Sequence, residues 1–124
     1  MLILPSGDTY KGDFVADEKN GEGEMLCTDG QIYIGSFKDG MRHGNGTEKW
    51  PTGHSYEGSW ETDEKHGFGI YKWANGQIYE GNYIAGVREG EGKHTRGDGT
   101  LIFEGNWIGG KPQPIQAPVS QPEV

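Results

Sequence analysis

The chain has 124 residues, enough for one domain with an ordinary core, but only 31% of them are hydrophobic and 23 are glycine. Nineteen acidic residues against eleven basic ones give a net charge of −8, which disfavours binding to nucleic acid or to anionic membranes. A single cysteine, Cys27, excludes an internal disulfide, and no apolar run is long enough to span a bilayer. We therefore expect a soluble, cytoplasmic protein.

The predicted elements recur at a fixed interval. The first aromatic pentamer, YKGDF, begins at Tyr10, and YIGSF, YEGSW and YEGNY follow at steps of 23 residues, while a fifth copy, FEGNW, follows after 24. Large aromatic residues alternate with single intervening residues, which is the period of a β-strand. The regular period favours a repeat architecture over a disordered glycine-rich chain. The aromatic residues predicted to pack on one another are Tyr10, Phe14, Tyr33, Phe37, Tyr56, Trp60, Tyr79, Tyr83, Phe103 and Trp107.

Each aromatic strand is followed by a predicted loop, such as TDEKH at 62–66, and then by a strand with a GxG pair, such as GFGIYKW from Gly67. A DG, TG or NG dipeptide then turns the chain into the next aromatic strand. We expect the glycines of both strands to leave space for the aromatic rings of neighbouring strands. These glycines are Gly12, Gly21, Gly23, Gly35, Gly44, Gly46, Gly58, Gly67, Gly69, Gly81, Gly90, Gly92 and Gly105.

The register follows from the turn. A three-residue turn with Gly30 in the left-handed conformation pairs Tyr33 with Met25 and Phe37 with Gly21 on one face, whereas a two-residue turn would oppose glycine and aromatic positions with glutamates. The fold class is therefore all-β, an elongated single-layer antiparallel meander of stacked β-hairpins, on the order of 45 Å long at about 4.8 Å per strand. The other face is polar and carries Lys11, Asp13, Ser36, Glu57, Ser59, Glu80, Asn82 and Glu104.

The pattern YxGxW, followed about seven residues later by GxG and then by a turn glycine, resembles the MORN (membrane occupation and recognition nexus) repeat over residues 1–110. The resemblance implies a small protein made of a ribbon of hairpins that serves in scaffolding, oligomerisation or docking, often in cilia, flagella and other cytoskeletal structures. We expect a partial repeat at 1–7, units starting near Gly7, Gly30, Gly53, Gly76 and Gly99, and a Pro-rich extended or disordered tail at 111–124.

Residues with catalytic or ligand-binding chemistry form no cluster in the sequence. His43 and His66 occupy equivalent predicted loop positions, about 10 Å apart in stacked repeats, which is too far for one metal ion. The GxG pairs lack the context of a phosphate-binding loop, and Cys27 has no adjacent base. We expect no enzyme activity, no cofactor and no metal.

The C-terminal end of the array is a candidate docking surface. The fifth unit supplies FEGNW without a glycine strand after it, so Phe103 and Trp107 are expected to be less covered than Tyr56 and Trp60. A partner strand or a second copy could pair there, or the tail could fold back over the edge. The candidate partner-binding residues are Phe103, Trp107, Lys111, Pro112 and Pro114.

Three functions remain open. The first is a non-enzymatic structural or adaptor protein that docks to partner proteins, in a ciliary or flagellar axoneme or another cytoskeletal assembly, with end-to-end self-association as an option. The second is a module that binds membranes or phosphoinositides, which the charge disfavours and for which the best basic segment is KDGMRHG at 38–44. The third is a regulatory subunit of an enzyme complex.

Overall fold

The computed structural model describes residues 2–113, and in them the chain forms one antiparallel sheet of 11 strands that follow one another in sequence order. This confirms the predicted all-β, single-layer meander. The strands are β1 (Leu2–Ile3), β2 (Thr9–Val15), β3 (Glu18–Leu26), β4 (Ile32–Lys38), β5 (Met41–Lys49), β6 (Ser55–Glu61), β7 (Glu64–Lys72), β8 (Ile78–Ile84), β9 (Val87–Thr95), β10 (Leu101–Ile108) and β11 (Lys111–Pro112).

The turns between repeats have the predicted geometry. Gly30 has a φ of 96°, its N–H donates to the carbonyl of Cys27 at 2.9 Å, and Cys27 N–H donates to Gln31 O at 2.8 Å. The register that follows pairs Tyr33 with Met25 and Phe37 with Gly21, as predicted. Glycine is favoured at this position because other residues rarely adopt a positive φ.

The turns within repeats are shorter than the sequence suggested. Thr62 and Asp63 both have positive φ, at 51° and 67°, and form a two-residue turn of the type I′ kind that suits a tight hairpin. The prediction that TDEKH forms a loop is therefore wrong after Asp63, because β7 already begins at Glu64. The same correction moves His43 and His66 from loops into strands β5 and β7.

The two glycines of each GxG pair have different roles. In β7, a register shift between Gly58 and Trp60 leaves an irregularity around Gly67, whose φ is +89° and whose added Cβ would face Ser59 rather than a ring. The expectation that the first glycines make room for rings is wrong, since they accommodate a β-bulge. Gly69, the second glycine, does make that room for the ring of Tyr56. Equivalent first glycines are Gly21, Gly44 and Gly90, and equivalent second glycines are Gly23, Gly46 and Gly92.

The core is a continuous ladder of aromatic rings on one face of the sheet. Neighbouring rings meet edge to face, with centroids 4.9–5.6 Å apart and interplanar angles of 77–89°. This geometry is favourable for aromatic pairs because the positive ring edge meets the negative ring face. In spatial order the ladder runs Phe14, Tyr10, Phe37, Tyr33, Trp60, Tyr56, Tyr83, Tyr79, Trp107 and Phe103.

The tyrosine hydroxyls tie the ladder to the backbone. Tyr56 Oη donates to the carbonyl of Ser59 at 3.0 Å, and the tyrosines at the same position of the other repeats make the same bond at 2.8–3.0 Å. Each ring thus spans its own pentamer and buries its polar tip without an unsatisfied donor. The equivalent tyrosines are Tyr10, Tyr33 and Tyr79.

Candidate functional site

Four basic side chains lie on the aromatic face at steps of 23 residues. Each pairs across its hairpin with the second aromatic residue of the pentamer, as Lys65 does with Trp60, and each lies over ring faces with the cation 4.5–6.0 Å from the centroids. Such placement is attractive because the ring face is electronegative. We call these four residues the cation row: Lys19, Arg42, Lys65 and Arg88.

The cation row was missed in the sequence analysis, although its spacing matches that of the aromatic pentamers. The predicted loop TDEKH placed Lys65 outside the strands, so no face of the sheet was assigned to it. The available signal was a basic residue two positions after each tight turn, as at Arg42 after Asp39–Gly40. A residue at that place in a hairpin faces the same side as the residue it pairs with, here an aromatic ring.

Arg42 is neutralised within the sheet. Its guanidinium donates to Glu48 Oε1 at 2.9 Å and to Asp63 Oδ1 at 3.1 Å. Glu48 is buried, at 4% exposure, and Gln31 joins the network by donating to Glu48 Oε2 and accepting from Trp50 Nε1, both at 3.1 Å. The segment KDGMRHG, the best candidate for a basic membrane patch, therefore has its central cation occupied by two carboxylates.

Lys65 and Arg88 differ from Arg42 in this respect. Within residues 2–113, neither forms an ion pair or donates a side-chain hydrogen bond to another described residue. Lys65 Nζ lies 5.4–6.0 Å from the centroids of five rings, and burial lowers the pKa of its ammonium, although Glu48 opposes this shift. Arg88 lies 4.9 Å from the ring centroid of Trp107.

A groove lies between these two cations. It has a volume of about 220 Å³ and is lined by Lys65, Tyr71, Trp73, Tyr83, Gly86 and Arg88. Tyr71 and Trp73 form its aromatic wall, with ring centroids 4.8 Å apart, and His94 packs on Trp73 at 5.1 Å. Burial and then the charges of Arg88 and Arg96 hold the pKa of His94 below its ordinary value, so the imidazole beside the groove is neutral at pH 7. We call this feature the cationic groove.

The C-terminal edge differs from the expectation. Phe103 is partly exposed whereas Tyr56 is fully buried, as predicted, but Trp107 is only 2% exposed against 4% for Trp60. Trp107 is covered because Tyr79, His94 and Arg88 pack on it, and because β11 pairs with the end of β10.

The remaining candidates for partner binding lie at or after this edge. Lys111 and Pro112 are exposed and form β11, and the N–H of Gln113 donates to Asn106 O at 2.8 Å. The chain thus folds back over part of β10, which was the alternative to an open edge. Pro114 lies outside the described residues.

The residues considered for catalysis or metal binding are separate from one another. His66 Nε2 lies 3.3 Å from Glu61 Oε1, and burial and then the carboxylates of Asp8 and Asp29 raise the pKa of the Cys27 thiol. In the part of the chain from 2 to 113, no group of three or more His, Cys, Asp or Glu residues is arranged to hold a metal ion. The same stretch contains no helix long and apolar enough to cross a membrane.

Comparison with family models matches the MORN repeat five times in succession, at residues 10–32, 33–55, 56–78, 79–101 and 103–113. The matched stretches cover most of the chain, and each begins at the first aromatic residue of a pentamer. MORN repeats are modules for protein interaction or membrane association. A comparison with curated proteins gave no significant match.

Proposed function

Because the chain belongs to the MORN repeat family, we propose that it is a non-enzymatic adaptor that docks partner proteins in a cytoplasmic cytoskeletal assembly, with a ciliary or flagellar axoneme as the setting. The observation that carries the proposal is the aromatic face, a single surface with rings in register through five repeats and cations in register through the first four. A one-layer repeat array suits docking because its stability comes from neighbouring units, which leaves long surfaces available to partners.

The axonemal setting rests on the resemblance to small proteins made almost wholly of this repeat. The experiment is proximity labelling with the tagged chain in a ciliated cell, with the tag alone as control. Labelled neighbours enriched in axonemal or other cytoskeletal proteins would support the proposal. Labelling confined to membrane proteins, or equal to the control, would contradict it.

We further propose end-to-end self-association through β10. Strand β11 pairs only with Trp107 and Ile108, so within the described residues the stretch from Leu101 to Gly105 has a neighbour on one side only. An unpaired strand edge is prone to adding another strand. If this edge mediates association, Ile102→Lys should abolish oligomers in sedimentation experiments, whereas Ile108→Lys, beside β11, should not. A wild-type chain that remains monomeric at high concentration would contradict this mode.

A further inference from the structure

The cation row is uneven in how its charges are balanced. Arg42 contacts Glu48 and Asp63, yet Lys65 and Arg88, at the same position of the next two repeats, contact no carboxylate of the described residues. The chain has 19 acidic residues against 11 basic ones, so a shortage of carboxylates does not explain the difference. These two half-buried cations beside the groove have lost part of their hydration without gaining an ionic partner among residues 2–113.

The side chains around these cations supply the rest of a binding surface. Tyr71 stands where the preceding repeat has Glu48, and Trp73 is the counterpart of Trp50, so the carboxylate that neutralises Arg42 has an aromatic ring as its counterpart here. Trp107 Nε1 is buried next to Arg88 and has no hydrogen-bond partner in the described stretch 2–113, whereas the indole N–H of Trp60 donates to Gly46 O at 3.1 Å. Donors thus exceed acceptors at this end of the aromatic face.

We infer that the cationic groove binds an extended acidic peptide of a partner protein, with one carboxylate on Lys65 and a second on Arg88. This inference rests on the proposed adaptor function. Equivalent residues of successive repeats lie two strands apart, or about 10 Å, and three residues of extended chain span about the same distance. The recognised segment therefore carries acidic residues three positions apart, with an apolar or proline residue between them against Tyr71 and Trp73.

A peptide fits this charge distribution better than a bilayer does. An anionic membrane would face the whole molecule, with its net charge of −8, and the groove would offer it two cations where lipid-binding segments offer about four to eight. A peptide brings its few negative charges to the groove alone. Short ionic contacts of this kind give specificity and are weakened by salt.

The test is a selection of twelve-residue peptides from a random display library on the folded wild-type chain. Binding of the selected peptides is then measured with three chains: wild type, the groove variant Lys65→Gln/Arg88→Gln, and the control variant Lys72→Gln/Lys93→Gln. The control pair lies in the same strands, β7 and β9, on exposed positions, and removes the same charge. Circular dichroism of all three chains establishes that they are folded.

We expect enrichment of peptides with acidic residues three apart, a loss of affinity of about tenfold or more in the groove variant, and less than about twofold loss in the control. Selected peptides without acidic residues, binding that survives in the groove variant, or no enrichment at all would overturn the inference. Vesicles containing phosphatidylinositol bisphosphate are a further probe. Sedimentation with them that depends on Lys65 and Arg88 would assign the groove to lipid and also overturn it.

Failure of the inference that the cationic groove binds an acidic peptide is distinguishable from failure of the adaptor function. Proximity labelling of cytoskeletal proteins that is unchanged in the groove variant would leave the adaptor function standing and place its docking surface elsewhere. Loss of labelling in the groove variant but not in the control would support both.

Discussion

The ring of Tyr56 lies across the bare backbone of Gly69 on the neighbouring strand, in the space that a side chain at 69 would fill. The same relationship recurs between the first aromatic residue and the second glycine of each of the first four repeats. Glycine is required at this place for the approach of a ring rather than for an unusual backbone angle, since Gly69 has no positive φ. The aromatic ladder and the glycine strands therefore form one packing unit.

Gly69→Ala is expected to lower the free energy of unfolding by about 1–3 kcal/mol, because the new methyl group overlaps the ring of Tyr56. Glu57→Ala, at an exposed position of the adjacent strand, is the control and is expected to change it by less than about 0.5 kcal/mol. Urea unfolding of the two variants measures the difference. Equal stabilities would show that the ring can move aside at no cost.

The tight turns offer a second matched comparison. Asp17 and Asp63 occupy the second position of equivalent turns, with φ of 68° and 67°, where the three other repeats have glycine. Asp17→Gly is expected to stabilise the chain by about 1 kcal/mol, because glycine adopts a positive φ without the steric penalty. Asp63→Gly is expected to stabilise the chain less than Asp17→Gly does, or to destabilise it. The reason is that Asp63 accepts hydrogen bonds from Arg42 N at 2.8 Å and Arg42 Nε at 3.1 Å, which glycine cannot replace. Thermal unfolding of both variants checks the sign of the change in stability that each causes. A loss of stability in Asp17→Gly would contradict the strain argument.

The sequence predicted the parts of the fold that depend on local period and turn chemistry. The strand period of YEGSW, the turn at Gly30 and the pairing of Tyr33 with Met25 were all available from residue types and spacing. The length of the turn within repeats was not recognised, because the loop was predicted from TDEKH, where Thr62 and Asp63 carry no type I′ signal, although the equivalent Asp39-Gly40 is an Asp-Gly pair that does. That error moved Lys65 into a loop and concealed the cationic groove. Burial of Trp107 was missed because it depends on Arg88 and His94, which have no sequence-local relation to it.

Glu48 makes the stability of the sheet depend on pH. Burial raises the pKa of its carboxyl group, although Arg42 and Lys65 act in the opposite direction. A carboxyl group whose pKa is higher in the folded chain stabilises the fold below the unfolded pKa, and that contribution is lost as pH rises through the folded pKa. The free energy of unfolding of wild type, relative to that of Glu48→Gln, is therefore expected to fall as pH rises above the ordinary carboxyl value of 4.5. Urea unfolding of both chains across this range measures it, and a relative stability that rises with pH would show that the pairing with Arg42 outweighs burial.

Trp107 is expected to be a packing residue whose loss acts locally. It is 2% exposed and contacts Tyr79 and Phe103 edge to face, so Trp107→Ala should cost about 3–5 kcal/mol in the repeats that contain it. Stability in a repeat array is carried by neighbouring units, so the effect should fade toward the first strands. Ile108→Ala, at a residue 56% exposed, is the control and should have little effect. Amide hydrogen exchange is expected to show faster exchange in β9 and β10 of Trp107→Ala and unchanged protection from β2 to β5. Uniform loss of protection would show that the array unfolds as one unit, and unchanged protection in β10 would show that Trp107 serves association rather than folding.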